Sequence, residues 1–145
     1  MKQETATNVT NEESWAAQVL NENQILFTKI MAALGCSRDE VPPALREVLR
    51  FLSLAAHYER GQLTPSHRVD LVWHEFILCT RAYQEFCEAR YGRMIHHDPG
   101  GPREKHCRQF EETLRRYKQR FGLPDRRFWT LENADLSDCG TCETV

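Results

Sequence analysis

The fold is decided by one long apolar stretch, Arg68-Val-Asp-Leu-Val-Trp-His-Glu-Phe-Ile-Leu-Cys-Thr-Arg-Ala-Tyr-Gln-Glu-Phe-Cys-Glu-Ala-Arg-Tyr91. At the 3.6-residue helical period, its apolar residues cover well over half of the circumference. A helix of this kind is enclosed by other helices and does not lie on a surface. Thr64 is expected to cap its start, and Gly92 can end it in the left-handed conformation. The stretch therefore predicts a central helix around which the rest of the chain packs.

Three further segments repeat apolar residues at helical spacing and have a capping residue, proline or glycine at their ends. Their predicted limits are residues 10–35, residues 42 or 43 to 60, and about residues 103–121. The first contains a polar segment, residues 21–24, where we expect a kink or break. No strand pattern is present. We predict an all-α, single-domain helical bundle of about four helices over residues 1–131, followed by an irregular acidic C-terminal tail, residues 132–145.

The composition is that of an ordinary soluble protein. The 145 residues carry a formal net charge of −2, and 28% of them are charged. These values argue against a nucleic-acid wrapper and against a disordered acidic chain. The first nine residues lack the basic leader and apolar core of a signal peptide. No segment approaches the about eighteen apolar residues of a membrane span. We therefore expect a cytoplasmic protein that does not contact a membrane.

One polar stripe interrupts the apolar surface of the central helix. It contains Asp70 and His74, one turn apart, and farther along it Arg81, Glu85 and Glu88. An Asp/His pair at this spacing suits a metal site, or a carboxylate that orients an imidazole. His96 and His97 follow the helix end. If their loop folds back along the helix, the histidine imidazoles and the Asp70 carboxylate come together at one site. Because neighbouring side chains on an extended loop point in opposite directions, we expect at most one of the two histidines to join His74.

Imidazole and carboxylate ligands together suit Zn²⁺, Fe²⁺ or Mn²⁺, and we expect zinc first. The acidic tail adds a C-x-x-C pair, which would complete a Cys₂His₂ set if the tail reaches the histidine loop. The candidate metal ligands are thus Asp70, His74, His96, His97, Cys139 and Cys142. In the alternative interpretation, the histidines only stabilise the loop and bind no ligand. No catalytic residue is assigned. A Cys87 nucleophile with His74 as its base is rejected, because on one continuous helix they lie about 140° apart.

The same block of residues resembles a known family. It carries D-x-V-W-H at residues 70–74, Y-x-x-F-C at residues 83–87, and G-x-(hydrophobic)₂-H-H-x-P at residues 92–99. These motifs are similar to those of the glycine-rich domain-containing protein-like family, in particular its short bacterial members. Many of those members end in a Gly- and Cys-rich tail, which is here reduced to Asp138-Cys-Gly-Thr-Cys142. The resemblance implies a helical fold and supplies no biochemical activity.

The last predicted helix suggests an alternative function. Residues 103–127 contain nine Lys/Arg against four Asp/Glu, whereas the tail carries acids alone. A non-catalytic interaction module would dock an unknown protein or anionic partner on this helix through Arg115, Arg116 and Lys118, unless the acidic tail folds against it. Its aromatic residues lie on the apolar seam, which argues against nucleic-acid binding. His57, near the end of the second helix, is interpreted as structural.

Overall fold

The computed structural model describes residues 2–98 and 101–130 of the chain. These residues form six α-helices and one short 3₁₀-helix, with no strand among them. The elements are α1 (Lys2–Glu22), α2 (Gln24–Leu34), the 3₁₀-helix (Arg38–Glu40), α3 (Val41–Ala56), α4 (His67–Leu78), α5 (Thr80–Tyr91) and α6 (Arg103–Phe121). The all-α, single-domain prediction is confirmed. The predicted tail, residues 132–145, lies outside the described residues.

Helix α3 occupies the centre of the fold. It packs against α1, α2, α4 and α6, and ten of its sixteen residues are buried. The prediction that residues 68–91 form the central helix is therefore wrong. The α3 sequence is amphipathic, which taken alone indicates a surface helix. It is enclosed nevertheless, because its polar residues Glu47 and Ser53 are buried against hydrogen-bonding partners on neighbouring elements.

The two longest predicted helices each break once, which accounts for the larger number of helices. The first breaks at Asn23, inside the polar segment where a break is expected, and Asn23 Nδ2 donates to Val19 O at 2.9 Å. The second breaks at Cys79, whose φ of −83° and ψ of 69° are not helical. This break allows Phe76 of α4 to meet Tyr83 of α5, with ring centroids 5.0 Å apart. One continuous helix over residues 68–91 is thus a wrong prediction, since packing overrides local propensity.

The observed helix limits agree with the sequence for α6 and for the C-terminal ends of α2 and α5, whereas the starts of α1 and α4 and the end of α3 differ. Helix α1 begins at Lys2 and not at Thr10, since the residues before Thr10 include several good helix formers. Helix α3 ends at Ala56, four residues earlier than predicted. The cap of α4 is Ser66, whose Oγ accepts from the backbone N–H at position 69 at 3.2 Å. Thr64, the predicted cap, instead donates to a side chain of α6.

The segment after α6 returns to the centre of the molecule. Phe128 and Trp129 are both buried. The carbonyl of Phe128 accepts from Ser66 Oγ at 2.6 Å, and Trp129 Nε1 donates to Glu47 Oε1 at 2.8 Å. This segment therefore ties α6 to α3 and to the start of α4. Within residues 2–98 and 101–130, none of the helices has the length and apolar character needed to cross a bilayer.

Candidate metal centre

Asp70, His74 and His97 come together beside α4. Asp70 and His74 lie one turn apart on that helix, and His97 belongs to the loop after α5. His97 Nε2 donates to Asp70 Oδ1 at 2.7 Å. The rings of His74 and His97 meet edge to face, with centroids 4.5 Å apart and an interplanar angle of 88°. One ligand atom from each of the three residues lies within 4.8 Å of the other two. The loop thus folds back onto the helix.

Two hydrogen bonds hold this loop in place, one on each side of the histidines. The first runs from Tyr83 OH to the carbonyl of Ile95, and the same hydroxyl accepts from Trp73 Nε1 at 3.0 Å. Burial raises the pKa of Tyr83, so its hydroxyl keeps the proton that it donates. In the second, Gln62 Nε2 donates to Asp98 Oδ2 at 2.5 Å. Ile95 is itself 5% exposed, and its burial anchors the loop.

The cluster is packed against Trp73 on one side and open to solvent on the other. The indole ring of Trp73 packs against the His97 ring, with centroids 4.4 Å apart at 51°. The His97 side chain is 16% exposed, whereas the Asp70 side chain is 35% exposed. His74 is exposed. An incoming ligand can therefore reach the carboxylate and His74 from solvent while Trp73 restrains the His97 imidazole.

The donor set is one carboxylate and two imidazoles, which borderline divalent metals favour. Ligand atoms about 2.0–2.2 Å from a tetrahedral zinc ion lie roughly 3.4 Å from one another. Atoms within 4.8 Å of one another reach such spacing by small side-chain rotations. His97 Nε2 carries a hydrogen in its bond to Asp70 and would have to lose it to bind a metal, since metal ligands must be deprotonated. The arrangement can thus hold a metal or, without one, an imidazole oriented by a carboxylate.

Among the described residues, His96 is the predicted ligand that does not join this cluster. His96 is exposed, while Ile95 before it is buried and His97 after it is partly buried. This alternation is typical of an extended segment and confirms that one histidine of the pair joins His74. Cys139 and Cys142 lie outside the described residues. Their participation therefore stays a prediction.

The polar stripe predicted along residues 68–91 is divided by the break at Cys79. Asp70 hydrogen-bonds to His97 and not to its helical neighbour His74. Arg81 and Glu85, farther along the stripe, instead line a groove between α1 and α5. The residues of the predicted stripe therefore lie on two separate surfaces.

Trp73 and Tyr83 contact the cluster or its loop, and this contribution was not predicted from the sequence. Both are buried and read as core aromatics from helical spacing, because nothing local shows that they support a histidine loop. Their position within the W-H and Y-x-x-F-C motifs was the available signal. Cys87 is fully buried, and burial raises the pKa of its thiol. It is therefore a poor nucleophile, although the single-helix argument first used against it does not apply.

The comparisons with known proteins identify a family whose description names no activity. No curated protein and no solved structure matches the chain. One family matches over residues 17–122, which includes all of α2 to α6 and the three clustered residues. That range is well over half of the 145 residues. The chain therefore belongs to the UCP032817-like family.

Proposed function

We propose that this protein binds a divalent metal ion through Asp70, His74 and His97, and that the metal is zinc. One observation carries the proposal. Donor atoms from two separate parts of the chain, a helix and a distant loop, lie within 4.8 Å of one another. Residues on one helix face can be neighbours by chance. His97, in contrast, reaches Asp70 and His74 only because its loop folds back onto α4. Two imidazoles and a carboxylate are also the donor set of mononuclear ferrous sites, so iron is the competing metal.

Contacts other than those of His97 also hold the loop, which supports a ligand role for His97. Ile95 is buried and its carbonyl is bonded by Tyr83, while Asp98 is bonded by Gln62. These contacts hold the loop on both sides of His97. The three clustered side chains are meanwhile at least partly open to solvent. A cluster with solvent access on an independently held loop is suited to binding an exchangeable ion.

The proposal also includes a metal site with additional ligands and a more specific family assignment. Cys139 and Cys142 would add thiolate ligands if the tail reaches the cluster, and thiolates favour zinc over iron or manganese. The similarity to short bacterial glycine-rich domain-containing proteins is likewise proposed, on the W-H and H-H-x-P motifs. Their Gly-rich tail is reduced here, so the cluster on α4 carries the argument.

Metal analysis tests this function. Purified without a His tag, the full chain is expected to carry about one zinc ion per molecule. His74→Ala and His97→Ala should each lower that content to near zero. His96→Ala is the matched control, since it removes a neighbouring exposed imidazole that lies outside the cluster, and its metal content should equal that of the original chain.

Two further measurements make this test decisive. Circular dichroism of each variant establishes that lost metal does not reflect a lost fold. A Cys139→Ser, Cys142→Ser double variant separates the three-residue site from the wider one. The variant should keep its zinc if only Asp70, His74 and His97 bind the metal, and should lose it if the cysteines are also ligands. Negligible metal in the folded original chain, both as purified and after incubation with zinc, would overturn the proposal.

The alternative interaction module stays a prediction with less support. Arg115 and Arg116 both donate to Glu112 of the same helix, at 2.5 and 2.6 Å. Two of its three proposed docking cations are therefore already paired, and the third, Lys118, is exposed on the side of the helix opposite Arg116. Charge reversal at these three positions followed by partner pull-down tests it. The metal centre is favoured because its donors converge on one point.

A further inference from the structure

A small cavity lies between the end of α3 and the second half of α6. It has a volume of about 200 Å³ and is lined by Leu54, His57, Arg116, Gln119 and Arg120. Three of these five side chains, Arg116, Gln119 and Arg120, carry N–H donors for a ligand. No carboxylate is among the lining residues. The cavity is therefore complementary to a small anion.

Arg116 is held in position before any ligand arrives. Its Nε donates to Glu112 at 2.6 Å, and its guanidinium carbon lies 4.5 Å from the centre of the Tyr58 ring. These two contacts fix the plane of the guanidinium group. Among the described residues, no hydrogen bond engages its terminal nitrogens, so they remain as donors for a ligand. A pre-oriented guanidinium loses little conformational entropy on binding.

His57 and Arg120 contribute to the two walls. His57 Nδ1 lies 2.8 Å from the carbonyl oxygen of Ser53, which can only accept, so Nδ1 carries the hydrogen and Nε2 of the neutral ring is left as an acceptor for the hydrogen of a protonated phosphate oxygen. Arg120 packs over the Phe121 ring at 5.4 Å and makes no ion pair within the part of the chain that the structure describes. His57, read from sequence as structural, thus also faces the cavity.

We propose that this cavity binds a phosphoryl group, held by Arg116 and Arg120 with support from Gln119 and His57. The planar guanidinium matches the paired oxygens of phosphate, and the several donors of Arg116, Gln119 and Arg120 suit its tetrahedral shape better than they suit a spherical halide. The carboxyl end of α3 opposes an anion with about half a charge. Two guanidinium groups outweigh that opposition even after Glu112 offsets part of Arg116. The ligand is a phosphate ester, either free or part of a lipid headgroup.

Titration of the full chain with inorganic phosphate, followed by the arginine Nε–H signals in ¹⁵N NMR, tests the site. Arg120→Gln should bind phosphate about ten-fold more weakly, the usual effect of losing one charge-assisted hydrogen bond. Lys118→Gln is the matched control. It makes the same charge change on the same helix, about 200° around the axis from Arg116, and its affinity should stay within about two-fold of the original.

The remaining arms define the ligand and exclude the metal centre. His97→Ala should bind phosphate as the original chain does, because the two sites share no residue. Binding of glycerol phosphate supports a small ester, whereas Arg120-dependent binding to phosphatidylcholine vesicles containing phosphatidic acid supports a lipid headgroup. Equal losses in Arg120→Gln and Lys118→Gln would reveal diffuse attraction and overturn the proposal. So would a failure of all three probes to bind the original chain.

Discussion

Two carboxylates, Glu47 in the core and Asp70 at the surface, each organise a polar cluster. Glu47 has no exposed side-chain surface. Its Oε1 accepts from Tyr117 OH at 2.5 Å and from Trp129 Nε1 at 2.8 Å. Its Oε2 accepts from Arg46 Nε at 2.7 Å and from Arg50 at 3.4 Å. Four donors from α3, α6 and the segment after α6 thus enclose this carboxylate completely.

Asp70 has the opposite surroundings. Its side chain is 35% exposed, and it accepts a hydrogen bond from His97. Buried and fully bonded, Glu47 fastens three parts of the fold together and has no room for a ligand. Asp70 is partly open to solvent and accepts a hydrogen bond from His97, so its oxygens remain accessible to a ligand. The contrast separates a carboxylate that stabilises the fold from one suited to function.

Breaking the Glu47 cluster should have the largest effect. Glu47→Ala leaves two guanidinium groups, a hydroxyl and an indole N–H without their buried acceptor, and should lower the free energy of unfolding by about 3–5 kcal/mol. Denaturant unfolding monitored by circular dichroism measures this loss. Tyr117→Phe, which removes one of the four donors, should cost about 1–2 kcal/mol. A Glu47→Ala loss below that of Tyr117→Phe would refute the structural role.

Adding zinc should stabilise the fold through Asp70 but not through Glu47. At a free concentration of one hundred times the dissociation constant, zinc should raise the free energy of unfolding by about 2.7 kcal/mol. His74→Ala should lose this increment, while its metal-free stability changes by less than about 1 kcal/mol because His74 is exposed. Thermal unfolding with zinc and with a chelator measures both. Zinc stabilisation that persists in His74→Ala would place the metal elsewhere.

Tyr83→Phe probes the link between core and site. It removes the hydroxyl that joins Trp73 to the carbonyl of Ile95 and leaves that buried carbonyl without its donor. We expect a loss of about 1–2 kcal/mol in the free energy of unfolding and weaker zinc binding, because the His97 loop is less well held. Zinc titration of the folded variant provides the second readout. Phe86→Leu is a control that disturbs the same core without touching the loop, and its zinc affinity should be unchanged.

The smallest effect is expected at Asp125, in the segment after α6. Hydrogen bonds from Arg127, together with the charge of Arg46, hold the pKa of Asp125 below its ordinary value. A lowered pKa stabilises the fold above the unfolded-state value of about 3.9, and this stabilisation disappears as the pH falls through the folded-state value. Asp125→Asn should therefore cost about 0.5 kcal/mol at pH 7, because its partner Arg127 is about half exposed. Its unfolding free energy should converge with that of the original chain as the pH falls through the folded-state pKa of Asp125.

The sequence predicted helices better than it predicted their arrangement. The limits of α6 and the break near Asn23 follow from local signals, namely proline, glycine and a polar segment. No such signal marks Cys79, since the break there serves contacts between Phe76 and Tyr83. The central position of α3 was equally hidden, because Glu47 looks solvent-exposed until its partners 70 and 82 residues later are known.

The amino-acid sequence by itself determined the all-α class, most helix limits and the residue types of the candidate metal site. Those properties depend on periodicity, capping and side-chain chemistry, which are local. Tertiary structure alone decided that His97 and not His96 meets Asp70, and that Trp73 and Tyr83 support them. It also decided that Arg116 and Arg120 line a cavity with His57. These outcomes depend on which distant surfaces pack together, and no short stretch of sequence encodes that choice.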